Sequence, residues 1–386
     1  MKHNLVFSIF RNKLVLLGIV LGVFISLLSY KLESKPQTYF RKAPYLIFTK
    51  SNRQMELLWQ NYSSRNCKIT LRNMATDKKS VYTSIEGNAD HQHYVIFDSL
   101  DYATLYHYEV NCGNEIKKGS FRSRPQDTMS MFSFFAYGDT RTYPSHHNLV
   151  AEQIMKIVKS RPLTQTFVAA TGDLVADGDK EQDWDKQFFD PQYKYIQLML
   201  ANLPYMSAMG NHEGQGILFA KYFPYNFYEK DENFYSFNYG NVHFIAIDQF
   251  TNLEKDSPQY RWFEKNLKAS KAHWKIVLMH KPGWTAGGHS NDTLVQKLLQ
   301  PLFVKYNVKL VLTGHNHYYA RAVVDGINEI TTGGGGAPLY FPKMKENIVI
   351  IDRSNHFCTI DVNADSLVVT AIRSDGSLIE KFAIKH

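Results

Sequence analysis

The chain has 386 residues, too many for one small core and typical of two domains plus a short non-globular segment. Its 44% hydrophobic and 21% charged residues exclude the composition of a disordered protein. The net charge of +8 comes from scattered Lys and Arg, so a solvated basic surface explains it. With no zinc-finger spacing and no basic run interleaved with aromatics, we expect no nucleic-acid partner.

The first 30 residues have the layout of a membrane anchor. A basic segment, residues 1–13, precedes an uncharged run at 14–30. This run is short for a membrane-spanning helix but longer than a usual cleaved signal core, and no small-residue cleavage site ends it. We therefore predict an uncleaved single-pass anchor at 14–30, a linker at 31–42, and the rest of the chain outside the cytoplasm, periplasmic or extracellular.

Residues 43–126 are typical of an all-β domain. Short apolar or alternating runs are separated by polar turn clusters, with no helical period between them. The predicted strands are 55–59, 67–71, 93–97 and 106–111. The run LDYATLYHYEV at 100–110 resembles the tyrosine-bearing corner and following strand of fibronectin type III domains, especially the N-terminal domain of purple acid phosphatases.

Three cysteines are too few for a disulfide framework and lack the spacing of a structural zinc site. Cys67 opens one predicted strand and Cys112 closes another, so antiparallel neighbours could bring them together in an oxidising compartment. Three separate buried thiols, with Cys358 as the third, are the alternative. The resemblance to the fibronectin type III-like domain places the first two at the same end of neighbouring strands and favours the bridge.

After Pro125 the pattern changes to buried strands alternating with helical stretches, as in an α/β layered fold. Strands are predicted at 132–137, 166–171, 204–209, 274–279 and 309–313. Polar residues follow them: Asp139, Asp173, Asn211, His212, His280, His315 and His317. In an open α/β sheet, ligands bind beyond the carboxyl ends of the strands, so we infer that these side chains converge on one site.

These residue types suit a metal site. Asp, Asn and His offer oxygen and nitrogen ligands to Fe, Mn or Zn, and no thiolate is among them. A glycine precedes Asp139, Asp173, Asn211 and His315, and we expect it to let the backbone turn sharply at the strand end. Two ions held in this way can clamp a phosphate and generate a hydroxide at neutral pH, which predicts hydrolysis without a covalent intermediate.

Five motifs, GD, GDLVADG, GNHE, VLMH and GHNH, occur in this order over about 180 residues. Together they resemble the signature of calcineurin-like metallophosphoesterases, and with the N-terminal β domain they are most similar to the purple acid phosphatase branch. The predicted fold class is therefore α/β. It comprises a four-layer α-β-β-α metallophosphoesterase sandwich at 130–386, preceded by the all-β fibronectin type III-like domain and the N-terminal transmembrane segment.

The resemblance also implies a role for each site residue. The first metal ion would be held by Asp139, Asp173 and His317. The second would be held by Asp173, Asn211, His280 and His315, so that Asp173 bridges the two. His212 would contact the phosphate and assist the leaving group instead of binding metal. Tyr319 and Arg321 follow the last motif, and they either border the site or pack in the core.

Two positions depart from the related families, both at the first ion. Purple acid phosphatases place a tyrosine where this chain has Ala176, so their charge-transfer colour should be absent. Other members place a histidine where this chain has Arg141, which stays protonated and cannot bind a metal. Water, His146 or His147 would have to complete the first ion. We therefore predict a colourless enzyme whose first ion is the more weakly bound.

Arg141 itself has two predicted uses. A guanidinium beside a metal ligand can act as a forked donor to phosphate oxygens, which would make Arg141 a substrate-binding residue together with His212. A salt bridge to an acidic neighbour is the alternative.

The glycine-rich run TTGGGGAPLY at 331–340 allows close approach of the backbone to a ligand or a tight crossing of segments. The runs 356–362, 366–372 and 378–384 predict antiparallel strands that end the sandwich.

The predicted function is extracytoplasmic hydrolysis of phosphate esters at a two-metal site, similar to that of purple acid phosphatases. Phosphodiesterase or nucleotidase activity at the same site stays open. A surface binding protein whose phosphoesterase domain is catalytically weakened is the alternative from another class.

Overall fold

The computed structural model describes residues 38–87, 90–225, 227–228 and 232–386, and Phe40–His386 form one compact unit. The predicted basic segment and anchor, and most of the predicted linker, lie outside the described residues. Within the described part of the chain, no helix has the length and apolar character needed to cross a membrane.

Strands run through the described chain, and the helical segments all follow residue 143. The strands are β1 (Phe40–Phe48), β2 (Met55–Asn61), β3 (Lys68–Asn73), β4 (Lys79–Thr83), β5 (Ile85–Glu86), β6 (Gln92–Phe97), β7 (Leu105–Cys112), β8 (Glu115–Arg122), β9 (Phe132–Tyr137), β10 (Val168–Ala170), β11 (Tyr205–Ser207), β12 (Tyr235–Tyr239), β13 (Val242–Ala246), β14 (Trp274–Leu278), β15 (Leu310–Thr313), β16 (Tyr319–Val324), β17 (Ile327–Thr332), β18 (Ile348–Asp352), β19 (His356–Val362), β20 (Ser366–Arg373) and β21 (Leu378–Lys385). The helical segments are Pro144–Ser160, Pro162–Thr164, Glu181–Asp183, Trp184–Phe188, Lys194–Leu200, Asn211–Glu213, Ile217–Tyr222, Pro258–Ala269, Val295–Leu299 and Gln300–Lys305.

The N-terminal region is an all-β sandwich, as predicted. One four-stranded sheet has the order β1-β2-β6-β5 and the other β4-β3-β7-β8. Aromatic rings fill the space between them, since Phe97 of β6 stacks on Phe121 of β8 at 5.7 Å between ring centroids. The amide of Asp101 donates to the Tyr106 hydroxyl at 2.9 Å, which ties the corner before β7 to its strand. The four predicted strands are all present, whereas β1, β4, β5 and β8 were not predicted.

A disulfide joins Cys67 and Cys112, whose Cα atoms are 4.5 Å apart. Cys67 directly precedes β3 and Cys112 ends β7, and these strands pair antiparallel with Lys68 opposite Asn111. The bridge between neighbouring strands is therefore confirmed, and the alternative of three separate thiols is wrong. Cys358 is a buried free thiol.

The rest of the chain forms two large sheets packed face to face. The six-stranded sheet has the order β11-β10-β9-β19-β20-β21, and the seven-stranded sheet has the order β12-β13-β14-β15-β17-β16-β18. Phe134 of β9 meets Phe244 of β13 edge to face at 5.1 Å between centroids, and Phe167 packs on Phe244 at 5.3 Å. The three predicted C-terminal strands are present as β19, β20 and β21, and they extend the six-stranded sheet.

Helices cover the outer faces of both sheets. On the seven-stranded sheet, the helix Pro258–Ala269 is capped by Ser257, whose side chain accepts from the Tyr260 amide. This helix buries Phe263 in a core shared with Val277 of β14. On the six-stranded sheet, the Tyr137 hydroxyl of β9 contacts the helix Lys194–Leu200 through the Met199 sulfur at 3.4 Å. The mixed α/β architecture predicted from the sequence is confirmed.

The β-sandwich contacts the α/β part through polar bonds as well as packing. Lys42 of β1 is fully buried, and its Nζ lies 2.8 Å from Glu181 and 2.6 Å from Asp185. On the other sheet of the sandwich, the Tyr108 hydroxyl donates to the Ala201 carbonyl at 2.8 Å. Strand β1 begins at Phe40, inside the segment that was predicted to be a linker.

Candidate metal centre

The predicted site residues follow parallel strands of both large sheets. Strands β9, β10 and β11 are parallel neighbours, as are β14 and β15 in the other sheet. The residues that follow them are Asp139 after β9, Asp173 after β10, Asn211 and His212 after β11, His280 after β14, and His315 and His317 after β15. The carboxyl ends of these five strands meet where the two sheets pack. The predicted site residues therefore converge from two sheets and not from one.

The first group of donors is Asp139, Asp173 and His317. All three are buried, and one ligand atom from each lies within 4.8 Å of the others. His317 Nε2 is 3.5 Å from an Asp139 carboxylate oxygen. The opposite ring nitrogen, Nδ1, lies 2.7 Å from the Pro338 carbonyl and donates to it, which leaves the Nε2 lone pair facing the carboxylates. The arrangement can hold a metal ion with three protein ligands.

The second group is centred on His280. Its Nε2 is 3.4 Å from an Asp173 oxygen, 3.1 Å from Asn211 Oδ1 and 3.1 Å from His315 Nδ1. His280 Nδ1 lies 2.7 Å from the Thr171 carbonyl and donates to it, so the lone pair on Nε2 faces the group. These facing nitrogen and oxygen atoms need positive charge between them, which a bound metal ion or a proton on His280 can supply. This donor set of nitrogen and oxygen atoms fits Fe, Mn or Zn.

Charge in the site is tightly coupled. Burial alone would raise the pKa of Asp173, but the neighbouring His280 and His212 hold it below its ordinary value. Burial would lower the pKa of His280, yet the Asp173 carboxylate raises it to about 9. Burial, together with the neighbouring His280, lowers the pKa of His315 to about 2, which keeps that imidazole neutral and free to bind a metal. The pattern is that of buried carboxylates that require positive charge beside them.

Three predicted ligands have a left-handed backbone conformation: Asp139 with φ 57°, Asp173 with φ 56° and His315 with φ 65°. The sharp turn therefore lies on the ligands themselves. Gly172 does have a positive φ of 89°, as expected for a turn residue. Gly314 serves a different purpose, because a Cβ there would collide with the Asp139 carboxylate. The expectation that every preceding glycine provides the turn is thus wrong, and close packing explains the rest.

Glu213, the last residue of the GNHE motif, was given no role by sequence reasoning. It is fully buried and accepts backbone N–H bonds from Asp173 at 2.9 Å, Leu174 at 2.7 Å and Gly210 at 2.6 Å. These donors come from the two loops that carry Asp173 and Asn211. Glu213 therefore holds the two loops together.

His212 lies at the open side of the cluster, and its side chain is 30% exposed. Its amide donates to Asp173 at 2.9 Å. Nδ1 lies 2.6 Å from the carbonyl oxygen of Ala176 and donates to it. That bond turns Nε2 toward the site, 3.8 Å from an Asp173 oxygen. The backbone of Ala176, where purple acid phosphatases have a tyrosine, thus orients the imidazole.

Two aromatic side chains at the site were not predicted. The His289 ring stacks on His315 at 3.9 Å, and the Tyr340 ring stacks on His317 at 4.2 Å. The Tyr340 hydroxyl is 3.4 Å from His289 Nε2, and the His289 amide donates to Asn316 at 2.8 Å. Tyr340 ends the glycine-rich segment, so the sequence contained a pattern that could have marked it as a site residue. His289 does not directly follow a strand, and no sequence pattern marks it.

Arg141 lies inside the cluster, with its side chain 14% exposed. Its Nε is 3.3 Å from Asp173 Oδ2, and its Nη2 is 3.3 Å from His317 Nε2. The salt bridge that was one of two predicted uses is therefore present, and its acidic partner is the proposed bridging ligand. The use as a forked donor to phosphate stays a prediction.

Neither histidine proposed to complete the first ion lies in the cluster. His147 is buried in the core, where its Nε2 is 2.9 Å from the Tyr137 hydroxyl. Burial there lowers the pKa of His147 to about 3. His146 is exposed beside the ring of Tyr143. Both histidines belong to the helix Pro144–Ser160, and the contacts they make are with Tyr137 and Tyr143 and not with the proposed ligands.

Tyr319 and Arg321 have structural roles. The Tyr319 hydroxyl donates to Glu380 at 2.7 Å, and Arg321 makes two bonds of 2.9 Å to the same carboxylate. These contacts join β16 of one sheet to β21 of the other. The packing interpretation of the two residues is the one the structure supports.

The glycine-rich segment crosses the loop that carries Asp139. The amide of Gly335 donates to the Gly138 carbonyl at 2.9 Å, and the amide of Ala337 donates to the Asp139 carbonyl at 2.9 Å. A Cβ on Gly335 would collide with the Gly138 carbonyl. Of the two predicted uses of these glycines, the tight crossing is observed.

Comparison with known proteins agrees with the fold and the donor set. Residues 150–319 match the family model described as calcineurin-like phosphoesterase, and this stretch includes every site residue except Asp139, Arg141 and Tyr340. Residues 150–319 therefore correspond to a calcineurin-like phosphoesterase domain.

Within that class the chain is similar to purple acid phosphatases. It is 26% identical to a purple acid phosphatase of Glycine max over 65% of this chain and 57% of the relative. It is 25% identical to Fe(3+)-Zn(2+) purple acid phosphatase 12 of Arabidopsis thaliana over 69% of this chain and 63% of the relative. The chain thus spans less than two thirds of either relative. The structure of purple acid phosphatase PPD1 from yellow lupin (Lupinus luteus) seeds has the same fold, with a TM-score of 0.71 at 19% identity, covering 89% of this chain and 74% of that one.

Proposed function

We propose that the protein is a metal-dependent phosphatase that hydrolyses phosphate esters, similar to purple acid phosphatases. The observation that carries this proposal is the single cluster of carboxylate, amide and imidazole donors with His212 at its open side. The domain class and the similar relatives support it. Monoesters are the proposed substrates, and diesters or nucleotides would enter the same site.

The donors divide between two ions in the way the family resemblance implies. Asp139, Asp173 and His317 would hold the first ion, and Asp173, Asn211, His280 and His315 the second. Fe, Mn and Zn all suit these atoms. Ions bound there would polarise the phosphoryl oxygens, neutralise developing charge and supply a nucleophile from water at neutral pH.

His212 is the proposed proton donor to the leaving group. Its Nδ1–H is committed to the Ala176 carbonyl, so only Nε2 can exchange a proton with a substrate. His289 and Tyr340 stack on the rings of His315 and His317, two of the proposed ligands. A substrate bound at the ions would therefore lie close to this pair as well as to His212.

The proposal is tested with the purified full chain and three variants. Asp173→Ala removes the bridging carboxylate, so we expect loss of both bound metal and hydrolysis. His212→Ala should keep the metal but lower turnover by about a hundredfold or more on alkyl phosphates. The loss should be smaller on 4-nitrophenyl phosphate, whose leaving group needs less help from an acid. His107→Ala, which removes an exposed histidine of β7, is the matched control and should change neither.

Three outcomes discriminate between the interpretations. Hydrolysis that survives unchanged in Asp173→Ala would refute the assignment of the site. An equal loss with both leaving groups in His212→Ala would argue against a proton-donor role. Bound metal without hydrolysis of monoesters or diesters would favour the alternative, a binding protein whose catalytic domain is weakened.

We also propose that the protein acts outside the cytoplasm, attached to the cell membrane by residues 14–30. The uncharged run with basic residues before it supports this location. The disulfide between Cys67 and Cys112 supports it independently, because such bridges persist in oxidising compartments. Protease added to cells with an intact cytoplasmic membrane, after any outer membrane has been permeabilised, should cleave the chain, and recovery of a fully protected chain in the soluble cytoplasmic fraction would contradict the proposal.

A further inference from the structure

Arg141 engages the atoms that the first ion would need. Asp173 Oδ1 already accepts the His212 amide and faces His280, so Oδ2 is the oxygen left for the first ion. Arg141 Nε points at that Oδ2 from 3.3 Å. His317 has only Nε2 open, because Nδ1 is bonded to the Pro338 carbonyl, and Arg141 Nη2 points at Nε2 from 3.3 Å. One guanidinium therefore covers two of the three first-ion ligands.

We propose that Arg141 competes with the first metal ion, so that the protein holds one ion tightly in the His280 group and accepts the other only by displacing the guanidinium. This inference rests on the proposed function. It goes beyond the predicted lack of a further protein ligand at the first ion. An absent ligand only weakens a metal site, whereas a charged side chain in the site must move before the ion can bind.

The backbone keeps Arg141 in place. The Thr140 side chain donates to the Leu174 carbonyl at 2.9 Å, and the Thr142 amide donates to Gln187 at 2.7 Å. The residues on both sides of Arg141 are therefore anchored to neighbouring segments. Displacement must come from rotation of the side chain and not from movement of the loop.

The contacts of Arg141 are suited to displacement. Bonds between a guanidinium and a carboxylate are usually about 2.7–2.9 Å long, and these are longer. A third donor, Nη1, is 3.2 Å from the Thr142 hydroxyl, and the Tyr340 hydroxyl also interacts with the side chain. These two hydroxyls can keep the guanidinium at the edge of the site after it leaves Asp173 and His317.

Charge makes the competition unfavourable for the ion. Arginine stays protonated, so an entering cation meets a fixed positive charge as well as occupied lone pairs. The contacts are longer than usual, yet their loss together with the repulsion between two cations should weaken binding of the first ion by about tenfold or more. Removal of the guanidinium should restore that affinity with little effect on the His280 group, in which Arg141 contacts only the shared Asp173, at Oδ2, the oxygen that does not face His280.

The test is a titration of the metal-stripped full chain with Mn²⁺, followed by calorimetry and by electron paramagnetic resonance. We expect the wild type to bind one ion tightly with an isolated-ion spectrum and another at least about tenfold more weakly. Arg141→Ala and Arg141→Gln should tighten the weak step by at least about tenfold, with a spin-coupled spectrum at two equivalents. Arg161→Ala breaks an exposed Arg–Asp361 pair and serves as the matched control.

The outcomes separate this inference from the function on which it rests. Two equally tight steps in the wild type, unchanged in both Arg141 variants, would overturn the competition but leave a two-metal phosphatase intact. No tight binding of Mn²⁺, Zn²⁺ or Fe²⁺ to any of the proteins would overturn the proposed function itself. Circular dichroism of each variant checks that a change in metal binding does not come from unfolding.

Discussion

The disulfide of the β-sandwich gives the most quantitative prediction. The bridge closes a loop with a sequence separation of 45 residues between Cys67 and Cys112. The chain-entropy relation gives about 4 kcal/mol of stabilisation for a loop of that length, through restriction of the unfolded chain. We expect the double variant Cys67→Ser/Cys112→Ser to lose about 2–4 kcal/mol of unfolding free energy, the lower figure allowing for residual structure in the unfolded state.

Urea unfolding followed by circular dichroism measures this difference, and the slope of the transition shows whether the unfolded states remain comparable. Dithiothreitol should lower the stability of the wild type by the same amount and leave the double variant unchanged. Below the transition the variant should keep its metal, because neither sulfur lies in the donor cluster. A double variant as stable as the oxidised wild type would refute the reasoning, since the bridge would then contribute nothing to folding.

Two further predictions concern buried ionisable groups. Glu213→Ala leaves three backbone N–H donors without their acceptor. It should therefore lower the free energy of unfolding in urea by at least about 2 kcal/mol and weaken metal binding. Glu109→Ala, at an exposed position, is the control and should change neither quantity. Burial lowers the pKa of His147 in the folded protein to about 3. Between about pH 6.5 and pH 3, the unfolded chain therefore binds a proton at this histidine that the folded chain does not bind. The free energy of unfolding of the wild type should therefore fall by about 2 kcal/mol through this group between pH 7 and pH 5. In His147→Gln, whose side chain can still bond Tyr137, it should fall by less. If the free energy of unfolding fell equally with pH in both proteins, His147 would not be the group responsible.

The strand ends that carry the proposed site could be predicted because their signals are local. A buried run, a glycine and a polar residue follow one another directly in the chain at Asp139, Asp173 and His315. Strand β1 could not be predicted in the same way. Its first residues, which include Lys42, fell in the predicted linker at 31–42, yet Lys42 is buried. The carboxylates that make this possible lie about 140 residues further along the chain, and only the folded structure brings them to the strand.

The remaining parts of the site are products of tertiary structure. His289 reaches the cluster because its amide is held by Asn316, so no periodicity in its own loop marks it. Arg141 follows Asp139, a proposed ligand, closely in the sequence, but its side chain also contacts His317, which is 176 residues away. Sequence alone could therefore predict which residue departs from the family pattern but could not show that it covers two ligands of one ion.

The ligands are held in place by each other, which explains how strained backbone persists at the centre of the site. A non-glycine residue with left-handed φ costs about 1–3 kcal/mol, and three such residues meet here. The Asp139 carboxylate accepts the His315 amide at 3.0 Å, and the Asp173 carboxylate accepts the His212 amide at 2.9 Å. The Asp139 amide in turn donates to the Gly172 carbonyl at 2.9 Å. Each aspartate thus positions the next loop as well as offering an oxygen to a metal, so the donor geometry is set by the fold before any ion binds.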